Sequence, residues 1–232
     1  MQRRIPASLI IAGVAAASVA GAHARPGHKP KAAPFDTASI CVERNATDGD
    51  TEIVMTAVPG DEGLKQFRVR APDGRRIFTF TSPDPTVLGI REFALESPEP
   101  EGDRILAAYP EGRYEFWGRT HEGQSFLDKP RLSHRMPNET VIIAPVEGEQ
   151  APVSDLVIRW SAVPGVAQYL LELENESADP EQSLSINLPP EATSFLVPAA
   201  WLAPGAEYQV GLGTVAPNCN VVFVESTFET AD

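Results

Sequence analysis

The chain has 232 residues, 42% hydrophobic and 22% charged, which excludes wholesale disorder and suits two domains of roughly 90 to 110 residues, each with its own core. Its 22 prolines and 17 glycines fit short strands and turns better than a helical protein. Nineteen Lys and Arg against 32 Asp and Glu give a net charge of −13, which argues against nucleic acid and anionic membranes as partners and reads chiefly as a solvated acidic surface.

Residues 1–24 read as a secretory signal. Arg3 and Arg4 form a basic start, Leu9 to Ala20 is small and apolar, and Ala22-His23-Ala24 supplies an A-x-A cleavage pattern. Cleavage near Ala24 would leave 17 basic residues (19 less Arg3 and Arg4) against 32 acidic ones, a net charge of −15. The apolar stretch is short for a membrane anchor, no second run of spanning length follows, and no cysteine follows it to carry a lipid. The expected location is extracytoplasmic, periplasmic or secreted, with no membrane span. Arg25 to Pro34 is basic and proline-rich and reads as a flexible tail.

A first domain is expected over residues 35–140. Ser39 to Arg44 alternates as a strand, Glu52 to Val58 is the next candidate, and Leu64 to Arg70 alternates through Phe67 and Val69. Ala71-Pro72-Asp73-Gly74 is a tight turn, with Ile77 to Thr81 as the returning hairpin strand. Further strands are expected at Val87 to Leu95, Gly112 to Thr120 and Gln124 to Ser133, with a short helical turn over Asp103 to Tyr109. This spacing suggests a β-sandwich.

Three runs in this half carry a resemblance: Asn45-Ala46-Thr47-Asp48-Gly49-Asp50, Gly89 to Pro100, and Pro110 to Gly118. In these the chain resembles a family of uncharacterised exported bacterial proteins, in which a sandwich-like domain precedes a fibronectin type III domain. The resemblance implies architecture and compartment, and carries no activity.

Residues 141–232 form the second expected domain. Leu156 to Trp160 is a strand ending in Trp, and Tyr169 to Glu174 is the next. Phe195 to Pro198 follows, then Leu202-Ala203-Pro204-Gly205-Ala206-Glu207-Tyr208, then a last strand ending Ser226 to Thr230. The order resembles a fibronectin type III (immunoglobulin-like) sandwich, with Trp160, Tyr169, Leu202 and Tyr208 as its structural core. Trp160 offers a plug between two sheets, and Tyr208 can bury its ring while its hydroxyl bonds backbone at the corner. The fold class expected is therefore all-β, with two sandwich domains. In the fibronectin type III fold the loop holding Cys219 lies at the pole where the chain enters, so the resemblance brings a Cys41–Cys219 disulfide between the domains into play; two free thiols are the alternative.

Candidate sites are few. Asp48, Asp50 and Glu52 alternate along the chain and would suit calcium, the one cofactor the pattern raises. Their spacing lacks the glycine and distal glutamate of a helix-loop-helix calcium loop, and Asp-Gly is itself a hairpin turn. Glu92, Glu96, Glu99 and Asp103 could be imagined as a glycosidic carboxylate pair, but a solvated face explains them better. His121 and His134 show no metal or triad spacing. Trp117, on the strand face opposite Tyr114 and Phe116, points outward or toward the other domain, and Trp201 precedes the corner. No catalytic residue is assigned. The sequence reads as a non-catalytic binding or scaffold protein for a protein or glycan ligand. The alternative is an enzyme or enzyme accessory with a site at the domain junction.

Overall fold

The computed structural model describes residues 31–84, 86, 88–98 and 102–232. Residues 1–24, read from sequence as a secretory signal, and residues 25–30 of the expected tail lie outside the described residues. In chain order the strands of the first half are β1 (Thr37–Asn45), β2 (Thr51–Val58), β3 (Leu64–Arg70), β4 (Arg76–Thr81) and β5 (Phe93–Glu96). After helix α1 (Gly102–Ala108) come β6 (Gly112–Arg113), β7 (Glu115–Thr120), β8 (Ser125–Asp128) and β9 (Arg131–Leu132). The second half contributes β10 (Ile142–Ala144), β11 (Glu149–Ala151), β12 (Val157–Trp160), β13 (Gln168–Asn175), β14 (Gln182–Leu188), β15 (Ser194–Leu196), β16 (Glu207–Val215) and β17 (Val221–Thr230).

The first core lies between two sheets. Phe67 and Val69 of β3 and Phe116 of β7 face Ile40 and Val42 of β1 and Ile53 and Met55 of β2, because alternate residues of a strand share a face; Leu64 joins them across a register shift between Leu64 and Gln66. Aromatic side chains dominate: Phe67 contacts Phe35, Phe78, Phe93 and Phe116 at centroid separations of 4.7–5.9 Å. Helix α1 adds Ile105 to this core.

Several elements differ from their sequence-based bounds for identifiable reasons. The strand expected at Val87 to Leu95 begins only at Phe93. Before it, the backbone of Gly89 (φ 88°) passes so close to Gly63 that a Cβ would sit 2.6 Å from the Gly63 carbonyl carbon, and Leu64 and Ile90 exchange two backbone hydrogen bonds there. The segment 112–120 divides at Tyr114, whose N–H donates to the Pro130 carbonyl instead of a sheet neighbour. The segment 124–133 divides at Pro130, which has no N–H to give a ladder. Within the expected tail, Ala33 pairs in parallel with Phe126, and its N–H and carbonyl bond Ser125 and Leu127, because β8 is an edge strand with unpaired groups to satisfy. Strands β10, β11 and β14 had no sequence-based counterpart.

The second half packs β10-β12-β15 against β14-β13-β16-β17. This is the strand arrangement of a fibronectin type III sandwich. Trp160 is buried at 5.6 Å from the Tyr169 ring, Tyr169 accepts the Val163 N–H, and Leu202 is half-buried against the same core. The Tyr208 ring stacks on Phe228. Its hydroxyl donates to the Trp201 carbonyl and accepts from the Ala203 N–H and the Asn175 amide, so a buried polar atom is fully used.

The two sandwiches share a sheet. Strand β17 pairs in parallel with β1 through Val221–Phe223 and, further along the same edge, with β11 through Phe228–Thr230. An eight-stranded sheet thus runs β14-β13-β16-β17-β1-β2-β5, with β11 beside β17. A four-stranded sheet, β4-β3-β7-β8, covers its N-terminal portion.

Candidate functional site

A disulfide and several hydrogen bonds cross the domain junction. Cys41 of β1 and Cys219 of the β16–β17 hairpin form a disulfide with Cα atoms 5.5 Å apart. Cys219 has a positive φ of 69°. Beside it Asn220 is fully buried. Its side-chain oxygen accepts the Val42 N–H at 2.9 Å, and its amide donates to the carbonyls of Ser133 and Arg135. Asn218 donates to the Arg135 carbonyl and Thr214 to the Asn138 carbonyl. One hairpin therefore holds strand β1 and the interdomain segment together. Asn220 escaped sequence reasoning because an Asn in a hairpin reads as turn chemistry until its partners are known.

The sequence candidates for chemistry do not converge. Asp48 Oδ1 accepts the Asp50 N–H at 2.9 Å and closes a local turn, while Glu52 lies on β2 opposite Glu43. Among the described residues, no group of three or more His, Cys, Asp or Glu side chains is placed to hold a metal ion. Glu92 precedes β5, Glu96 ends it, and Asp103 opens α1; Glu99 lies outside the described residues. His134 Nε2 is bonded to the Tyr109 carbonyl oxygen at 2.8 Å, and His121 sits between β7 and β8. Trp201 is half-buried against the second core.

Carboxylates instead form a row on the outer face of the eight-stranded sheet. Ser185, Glu172, Gly211 and Glu225 are consecutive cross-strand partners, and Gly211 contributes no side chain between the two acids. Burial pushes Glu172 up to about 7, against a hydrogen bond from Ser185, with the charge of Glu225 adding to the rise. Burial likewise raises Glu225, opposed by hydrogen bonds from Asn45 and Gln209 and reinforced by Asp48 and Asp50.

The four-stranded sheet presents the opposite chemistry. With Phe67, Val69, Phe116 and Phe126 turned into the core, the intervening residues line the outer face in three rows. Thr79, Arg68, Trp117 and Leu127 form the central row. Thr81, Gln66, Arg119 and Ser125 form a second. Arg76, Arg70 and Glu115 form the third, which Lys129 extends with an ion pair to Glu115 at 3.6 Å. The Arg68 guanidinium lies 4.3 Å from the Trp117 ring centroid, a cation–π contact that holds the charge over the middle of the sheet. The Nε–H groups of Arg68 and Arg70 are both shielded from solvent without a hydrogen-bond partner among the described residues. Past Leu127 and Lys129, a depression of about 440 Å³ is lined by these two with Ala38, Arg113, Asp128 and Pro130, so a further cation flanks the same edge.

Sequence alternation placed Trp117 opposite Phe116. The cationic character of its neighbourhood was not legible, because Arg68 and Arg119 meet only when β3 pairs with β7.

Among the described residues no helix is long and apolar enough to cross a membrane. No protein-family model and no curated protein matches the chain. Among solved structures the chain is similar to the FN1–FN3 domains of chicken CNTN1, at 14% identity and a TM-score of 0.35, over 87% of this chain and 67% of that one. It is also similar to a two fibronectin type III domain segment of chicken tenascin, at 12% identity and a TM-score of 0.29, over 83% of this chain and 98% of that one. The architecture is an all-β pair of sandwiches with fibronectin type III character.

Proposed function

We propose that this is an exported, non-catalytic binding protein whose outer β4-β3-β7-β8 face takes an anionic partner, with the fibronectin type III half as a rigid mount. The observation that carries this reading is the gathering of Arg68, Arg70, Arg76, Arg119 and Lys129 on one face in a chain whose net charge is −13. At physiological salt the Debye length is about 8 Å, so an approaching anion responds to the charges beside it more than to the distant net charge. The disulfide fits an oxidising compartment, in keeping with the signal sequence read at residues 1–24.

The test uses the protein beginning at Arg25 on a sulfopropyl cation exchanger at pH 8 and low salt. Retention is expected despite the acidic composition. It should fall in Arg68→Gln/Arg119→Gln and persist in Arg159→Gln, which removes a cation from the second half. Flow-through of the unmodified protein would sink the reading. N-terminal sequencing of protein recovered outside the cytoplasm should begin at Arg25.

A further inference from the structure

Resting on that anion-binding reading, we infer that the partner is an anionic polysaccharide, one that bears carboxylate or sulfate groups among free hydroxyls. Cations alone would suit any polyanion. The side chains between them discriminate.

Thr79 and Thr81 of β4, Gln66 of β3 and Ser125 of β8 stand in the same rows as Arg68 and Arg119, and both threonines are exposed. The face therefore alternates guanidinium groups with neutral hydroxyl and amide groups, at about 4.8 Å across strands and about 6.8 Å along them. Neutral groups of this kind both donate and accept hydrogen bonds, which matches sugar hydroxyls, while guanidiniums match carboxylate or sulfate oxygens in paired geometry.

Two other polyanions fit less well. An acidic polypeptide partner would be expected to bury an apolar centre, yet the rows offer only Leu127 and part of Trp117. Single-stranded nucleic acid gains affinity by stacking bases on open aromatic faces. Here Arg68 lies over the Trp117 ring, and Leu127 is its neighbour on the other strand.

The experiment measures binding of the chain from Arg25 to Asp232, disulfide intact, to polygalacturonate, polyglutamate of matched charge, a single-stranded oligonucleotide and neutral dextran at low ionic strength. Polygalacturonate should bind at least about tenfold tighter than polyglutamate or the oligonucleotide, and dextran should not bind measurably. Thr79→Val/Thr81→Val keeps β-branching on an exposed edge strand. It should weaken polygalacturonate binding about fivefold while leaving cation-exchange retention and melting temperature unchanged. Equal or tighter binding of polyglutamate or the oligonucleotide would overturn the inference in favour of a polypeptide or nucleic acid, as would a threonine variant that binds polygalacturonate normally. In both cases the anion-binding reading would stand. Loss of cation-exchange retention by the unmodified protein would remove both.

Discussion

The two halves of this chain solve the same packing problem with very different allotments of cations. Residues 35–140 contain thirteen Lys or Arg against nineteen Asp or Glu, whereas residues 141–232 contain Arg159 alone against thirteen acids. Both are β-sandwiches with an apolar interior, so the core does not require the difference. It lies on the outer faces: Arg68, Arg70 and Arg119 on the four-stranded sheet, and Glu172 and Glu225 on the fibronectin type III part of the eight-stranded sheet. A net charge averages over such segregation and hides it. An argument from net charge alone would exclude the anionic partner proposed for the first half.

The largest expected effect comes from cutting the link between the halves. The Cys41–Cys219 bond spans 178 residues, and loop closure of that size is worth up to about 5 kcal/mol to the folded state. Cys41→Ala/Cys219→Ala should lose about 2–5 kcal/mol, and calorimetry should resolve two transitions where the oxidised protein shows one. A single transition at an unchanged temperature would mean that β1–β17 pairing and Asn220 hold the junction unaided.

A smaller effect tests the acidic half. Glu172 rises from 4.5 to about 7 on folding, mainly through burial, so between those values the folded state binds a proton that the unfolded chain has released. Its favourable contribution is complete below about pH 4.5, declines as pH climbs, and is gone above about 7; Glu225 shifts in the same direction. The urea midpoint should fall between pH 5 and 8, by up to about 3 kcal/mol in stability for the shift of Glu172. Glu172→Gln should flatten that slope and be the more stable protein at pH 8. An unaltered slope in the variant would assign the pH dependence to other groups.

The smallest effect separates mount from binding face. Tyr208→Phe removes a hydroxyl that serves Trp201, Ala203 and Asn175 and should cost about 1–3 kcal/mol, measured by denaturant unfolding. Cation-exchange retention should not change, since Tyr208 belongs to the other core. A parallel loss of retention would contradict the division of labour between the halves.

Much of the architecture was legible because β-structure has a local signature. Alternation in Leu64 to Arg70 sends Phe67 and Val69 inward, and Leu202 to Tyr208 carries its own corner. Strand β14 was legible in principle, since Leu184, Ile186 and Leu188 alternate with polar residues. The break at Pro130 had its signal in the missing N–H. The late start of β5 had none, because what delays the strand is the approach of Gly63 to Gly89 from elsewhere in the chain.

By itself, then, the sequence determined that this is a β-protein, which residues fill the fibronectin type III core, and that Trp117 and Phe116 lie on opposite sides of one strand. Only the tertiary structure decided that β1 pairs with β17, that Cys41 meets Cys219, that Asn220 joins three distant segments, and that Arg68, Arg119 and Trp117 share a surface. The physical reason is the period of two, which assigns each residue a side of its own strand. Which strands become neighbours is settled by long-range hydrogen bonding and core packing, and a surface exists only once they do.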